Sequence, residues 1–94
     1  MALAFIVTFK TKQPDHIVSQ LRGYKERELD RNPPPGFRAS LIEEHPAEGR
    51  VVFRTEWADE EALEDVRDGA PWEACMDLCS IHADKQEESR VAIA

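Results

Sequence analysis

Cys75, Cys79 and His82 stand at i, i+4 and i+7, a spacing that lines them along one side of a helix and brings two thiolates and an imidazole near enough to hold a metal ion. Zinc sites, however, pair their ligands at shorter spacing and draw a fourth from elsewhere, so buried thiols on a helix face are the ordinary outcome and no metal is expected. His82 keeps a separate interest: an imidazole with an ordinary pKa of about 6.5 can take a phenolic or C–H proton at neutral pH, whereas a helix-end histidine without such a task is simply solvated. Tyr24 can present its hydroxyl to a ligand or pack with that hydroxyl satisfied inside the protein. Thr55 brings a hydroxyl to a strand for which threonine is well suited in any case. Trp57, two residues on, is a core aromatic or a pocket wall. His16 falls off its helix stripe and His45 sits in a turn, so both are expected in water.

These side chains need elements to hold them. Residues 3–10 place Leu3, Phe5, Val7 and Phe9 on one face at period two, which predicts a strand. Pro14 and Asp15 open a helix, proline in the first turn beside an acid facing the dipole, with Ile17, Val18, Leu21, Tyr24 and Leu29 as its apolar stripe and Lys25 to Glu28 largely in water. Asn32-Pro-Pro-Pro-Gly36 ends it, because consecutive prolines cannot continue a helix. A second strand is predicted over Phe37–Glu44, with Phe37, Ala39 and Leu41 on one face and Arg38, Ser40 and Ile42 on the other. After the hairpin connection His45–Gly49, Arg50–Trp57 returns antiparallel, Val51, Phe53, Thr55 and Trp57 sharing a face. Asp59-Glu60-Glu61 starts a helix with Ala62, Leu63, Val66 and Ala70 on its buried side; Asp68-Gly69 breaks it. Pro71 starts another, with Trp72, Cys75, Met76, Cys79 and Ala83 as apolar positions. Ser89–Ala94 is a last short strand. The order β-α-β-β-α-β is that of the α+β, ferredoxin-like fold with a four-stranded antiparallel sheet.

Ninety-four residues make one domain, spanning 1–94. A net charge of −7 and a pI near 4.9 give phosphate backbones nothing to bind, so nucleic acid and anionic membranes are poor partners. The apolar opening Met-Ala-Leu-Ala-Phe-Ile-Val has no basic leader and is far shorter than the roughly 20 residues that span a bilayer. With only two cysteines, four apart in a helix, a disulfide framework is not expected and a reducing cytoplasm is. Two helices cover one face of a small sheet and leave the other open, which predicts a homodimer packed sheet to sheet. Arg54 and Glu56 would lie on that face, and pairing across the interface would account for them.

The stretches Phe5-Ile-Val-Thr-Phe-Lys10, Pro35-Gly-Phe-Arg-Ala-Ser-Leu41, Gly49-Arg-Val-Val-Phe-Arg-Thr-Glu-Trp57 and Ala58-Asp-Glu-Glu-Ala-Leu63 together resemble the antibiotic biosynthesis monooxygenase family of dimeric α+β barrels. The resemblance implies a homodimeric oxygenase that needs no cofactor and oxidises an aromatic polyketide intermediate, such as an anthrone, with O₂. It implies further that the indole N–H of Trp57 donates to a substrate carbonyl or bound oxygen species; by their own chemistry, His82 and Tyr24 are the candidate acid/base groups beside it. Phe37, Phe53, Thr55, Leu63, Trp72 and Met76 are the expected substrate contacts. Two positions depart from the family pattern: Phe53 stands where the anthrone oxygenases have an asparagine, four residues before the tryptophan, and Leu63 where they have a tyrosine, six after it. Haem-degrading relatives carry their ligating histidine nine or ten residues after the tryptophan, where this chain has Val66 and Arg67, so haem is not expected. Two rival expectations keep the same barrel: a polyketide cyclase, which needs chiefly shape and one proton shuttle, and an accessory dimer that binds a ligand without chemistry.

Overall fold

β1 (Leu3–Lys10) alternates as its sequence requires, and its apolar face of Leu3, Phe5, Val7 and Phe9 is buried; the computed structural model describes residues 1–93. α1 (Pro14–Tyr24) follows, then β2 (Phe37–His45), β3 (Arg50–Trp57), α2 (Glu60–Arg67), α3 (Ala70–Ile81) and β4 (Lys85–Ala92). The sheet order is β2-β3-β1-β4 and every neighbouring pair is antiparallel. This is the ferredoxin-like arrangement expected. In register, Leu3 lies opposite Trp57, Phe5 opposite Thr55, Val7 opposite Phe53 and Phe9 opposite Val51, so the two central strands present one continuous apolar face to the helices. No helix is long and apolar enough to cross a membrane among the described residues.

α1 does not stop at Tyr24. The chain continues as a π-helical segment over Lys25–Asp30, closed by the amide of Arg31 donating to the carbonyl of Glu26 at 3.1 Å. The wider π turn, with i→i+5 bonds, brings Leu29 back into line with the buried stripe of Ile17, Val18, Leu21 and Tyr24. Pro34 to Phe37 then form a tight turn, the Phe37 amide donating to the Pro34 carbonyl at 3.1 Å, with Gly36 at φ 81°. A side chain is excluded at Gly36 twice over, since a Cβ there would lie 2.5 Å from that of Ala62 on α2.

Three expectations need correction. A β-bulge between Phe37 and Ala39 breaks the alternation of β2, so Phe37 faces Trp57 and the helices, while Ala39 and Leu41 turn to the opposite face. β4 begins at Lys85, not Ser89: Lys85–Glu88 is too polar to read as a strand but gains ladder bonds along β1, and charge suits an edge strand. Its far end is Ala92, and Ala94 lies outside the described residues. Ala70, placed on the buried side of α2, instead opens α3 and is exposed, because Gly69 turns the chain there. The start of α2 is as expected, Asp59 capping it by accepting from the Ala62 amide at 2.9 Å.

Candidate functional site

Trp72 sets the geometry between the sheet and the helices. Its indole, 4% exposed, enters from the first turn of α3 and stacks on Phe53 with ring centroids 6.1 Å apart and planes 20° apart. Phe5 lies 5.9 Å from it, and Tyr24 meets it edge-on at 5.5 Å while also meeting Phe53 edge-on at 6.4 Å. Four aromatic rings thus fill the centre of the interior. On the β4 side the cluster is roofed by two arginines of opposed origin, Arg67 of α2 at 4.8 Å and Arg90 of β4 at 5.9 Å from the Phe5 ring. Glu64 joins them, 3.2 Å from Arg67 and 2.6 Å from Arg90; Arg90 also pairs with Glu60, and Arg67 with Glu88 at 3.4 Å.

Beside this cluster, on the opposite flank of Trp72, lies a cleft of about 380 Å³. Tyr24 and Trp72 supply its aromatic wall, Pro33, Pro34 and Pro35 a rigid apolar one, and Glu28, Asn32 and Asp65 its polar groups. Tyr24 is 1% exposed and lines the cleft. Burial first, then the negative charge of Cys75 and Glu28, push this phenol well above its ordinary range, so Tyr24 stays protonated and keeps an O–H to donate. Glu28, in the π-helical segment four residues after Tyr24, shares its side of the helix and lines the cleft with it. Along that segment Lys25 pairs with Asp30 at 2.8 Å and Arg31 with Glu26 at 2.7 Å, which leaves Glu28 without a cation among the described residues.

The expected site residues do not converge on one place. Tyr24 and Trp72 share the cleft, and Phe53 lies directly behind them. Trp57, expected to donate to a ligand, is fully buried, and its Nε1–H donates to Thr55 Oγ1 at 2.8 Å; Thr55 donates onward to the Phe5 carbonyl at 3.2 Å. Residues i and i+2 of a strand share a face, which makes this bond geometrically natural. Phe37 packs edge-on against Trp57 at 5.3 Å, and Leu63 is buried on the inner side of α2. Met76 lines a separate cleft of about 260 Å³ with Arg67, Gln86 and Glu88, on the other side of Trp72, and accepts from Gln86 at 3.7 Å.

His82 is at the far end of the molecule. It follows the last residue of α3, its carbonyl accepts from Thr11 just beyond β1, its Nδ1 donates to Gln13 at 2.7 Å, and its ring stacks on His16 at 4.6 Å. Trp57 is paired with Leu3 at the other end of β1, and seven steps of about 3.4 Å put some 24 Å of strand between them. Cys75 and Cys79 are buried; Cys75 approaches the Gln20 carbonyl at 3.9 Å, and its hydrogen bond to Cys79, together with burial, pushes the Cys79 thiol up. His82 points away from them to α1, and no cluster of three metal-ligating side chains exists among the described residues. His45 closes β2 instead of sitting in the turn, half-buried and 3.4 Å from Glu43.

Glu28, Asn32 and Asp65 were not anticipated. The one signal for Glu28 was the charge pattern: complementary pairs five apart, Lys25 with Asp30 and Glu26 with Arg31, fit a π turn and leave Glu28 over.

The fold defines a class: small ferredoxin-like α+β proteins with a four-stranded antiparallel sheet covered on one face by helices. No protein-family model matches the sequence, and no curated protein matches it. Solved structures do match over nearly the whole chain. An antibiotic biosynthesis monooxygenase superposes with a TM-score of 0.80 at 20% identity, covering 98% of this chain and 98% of its own. SnoaB, a cofactor-independent oxygenase from Streptomyces nogalater, superposes with a TM-score of 0.78 at 13% identity, covering 99% of this chain and 93% of its own. A conserved protein from Methanosarcina mazei Go1 reaches a TM-score of 0.83 at 16% identity over 97% of this chain and 91% of its own. The chain has the fold of the antibiotic biosynthesis monooxygenases.

Proposed function

We propose that this protein is a cofactor-independent monooxygenase that oxidises an enolisable aromatic polyketide, of which anthrone is the simplest probe, in the cleft beside Trp72. One observation carries the reading: Tyr24, almost wholly enclosed, forms with Trp72 the aromatic floor of a cleft of about 380 Å³. A planar phenolic ring stacks on such a floor, and a protonated hydroxyl steadies the oxygen on which negative charge collects. The oxygenase fold of SnoaB supports the same reading.

The substrate supplies the electrons. Loss of a C–H proton gives a ring carbanion with its charge on oxygen; that anion passes one electron to O₂, the radical pair joins in a C–O bond, and the peroxide formed loses water to leave a quinone carbonyl. One oxygen atom of O₂ enters the product and the other leaves as water, so no external reductant is needed. Two copies packed through the open sheet face, where Leu41 and Val91 are 50% and 47% exposed, complete the proposed assembly. Arg54 pairs with Glu56 of its own chain at 3.7 Å, so that face does not require a cross-interface partner for either. Two buried free thiols fit the proposed cytoplasmic setting.

Mixing the protein with anthrone while following oxygen uptake and quinone absorbance tests the proposal. Stoichiometric oxygen consumption supports it, and saturable binding without oxygen consumption overturns it. That second outcome has its own structural support, because the aromatic rings filling the interior and the internally committed Trp57 N–H favour a ligand-binding accessory dimer.

A further inference from the structure

We propose that Glu28 is the catalytic base of the cleft, taking the proton from the substrate while the Tyr24 hydroxyl donates to the oxygen that receives the electron pair; this rests on the cleft being the substrate site.

The choice follows from what each polar group can do. His82, the expected proton acceptor, is stacked on His16 and bonded to Gln13 at the opposite end of the molecule. Asn32 has an amide, which does not accept a proton at working pH. Glu28 and Asp65 remain, both lining the cleft. Glu28 is half-buried and Asp65 exposed, so Glu28 is the carboxylate more enclosed by the cleft. A cation beside Glu28 would hold it as the anion and weaken it as a base. Lys25 and Arg31 are taken by other acids, and the remaining cation of the segment, Arg27, lies back over Gly23 and forms no ion pair with Glu28 among the described residues. Glu28 also follows Tyr24 by four residues through the junction of α1 with a π-helical segment, a backbone departure that often marks functional positions.

The step balances within the cleft. The C–H bond to the substrate's acidic carbon breaks, its proton goes to the Glu28 carboxylate, and its electron pair is delocalised onto the ring oxygen that Tyr24 faces. Total charge is unchanged, which matters where a second carboxylate, Asp65, would oppose a net gain of negative charge.

Anaerobic hydrogen exchange isolates this step from oxygen chemistry. Anthrone in D₂O without O₂ is incubated with protein, deuterium at its acidic carbon is read by mass spectrometry, and anthrone affinity is read by quenching of tryptophan fluorescence. The protein is expected to accelerate exchange over buffer. Glu28→Gln is expected to lower the catalysed rate about 100-fold or more with affinity kept within about twofold, as general-base removal does. Glu26→Gln, at a surface acid paired with Arg31, is expected to exchange at the parent rate. Should Glu28→Gln fold poorly, Glu28→Ala with added acetate gives the same answer, exchange returning in proportion to acetate. Wild-type exchange in Glu28→Gln, loss in Asp65→Asn in its place, or no catalysed exchange by the parent protein each overturns the assignment. Glu28-dependent exchange without oxygen uptake in air leaves the base assigned and removes only the oxygenase.

Discussion

Replacing Trp57 by Phe removes one N–H and part of one ring from a fully buried position, and the structure says what that costs. The indole Nε1 donates to Thr55 Oγ1 at 2.8 Å, and a neutral buried hydrogen bond contributes about 1 kcal/mol net. The ring lost is roughly 35 Å³, which at about 24 cal/mol per Å³ of unfilled cavity adds about 0.8 kcal/mol, for a total near 2 kcal/mol. Thr55→Val keeps the shape of that residue but leaves the indole N–H without an acceptor and takes a donor from the Phe5 carbonyl, for about 2 kcal/mol again. The double variant is then expected to be more stable than the sum predicts by about 1 kcal/mol, because the second substitution removes a group the first has already stranded. Urea denaturation at fixed protein concentration measures all four corners of the cycle. Additivity to within about 0.5 kcal/mol would refute the internal bond. A tenfold loss of anthrone affinity in Trp57→Phe would show, against the geometry, that the indole serves a ligand.

Three further outcomes follow from the structure. Tyr24 is the chain's single tyrosine, so tyrosinate absorbance in the near ultraviolet reports it alone. Because its folded pKa is raised, folded and unfolded chains hold the proton equally below about pH 10, and above that only the unfolded chain releases it. Stability therefore falls as pH rises, by up to about 1.4 kcal/mol per unit from this group, and Tyr24→Phe removes that slope; tyrosinate forming in the folded protein at the ordinary phenol pH would contradict this. Gly36→Ala combines a left-handed φ of 81° with a Cβ 2.5 Å from that of Ala62, and is expected to lower stability by about 1–3 kcal/mol in a thermal melt, whereas an unchanged melt would mean the turn relaxes freely. Leu41→Lys places a charge on the open sheet face and is expected to halve the mass seen by sedimentation if two copies pack there, while an unchanged mass would move the interface elsewhere.

What the chain reveals of itself divides along a physical line. Leu3, Phe5, Val7 and Phe9, and their partners Val51, Phe53, Thr55 and Trp57, announce the sheet because a strand buried on one face must alternate, and the core followed that alternation. β4 is silent at its start because an edge strand is held by its backbone ladder, which leaves no mark on side-chain type. The bulge after Phe37 is equally silent, since one extra residue reverses a face without changing composition. Helical spacing misled at His82: i+7 from Cys75 would align it with the thiols, but it lies beyond the last residue of α3 at φ −102° and ψ 3°, and its ring turns to α1.

The position of the candidate site follows from two aromatic residues. Where Phe53 stands, the oxygenase pattern has a polar side chain, which would need space and a ligand before it. A phenyl ring there needs neither, and Trp72 comes down from α3 to stack on it, closing the centre of the interior. Trp57, behind that filled volume, satisfies its N–H on Thr55. Open space then remains on the flank of Trp72, bounded by the triple proline and the Gly69 corner, where polar groups can come only from the end of α1 and from α2. The π-helical segment keeps Leu29 buried, while Glu28, four residues after Tyr24, lines the cleft. Phe53 and Trp72 thus fill the centre of the interior together, and the cleft that remains is bounded by the end of α1, the prolines and α2.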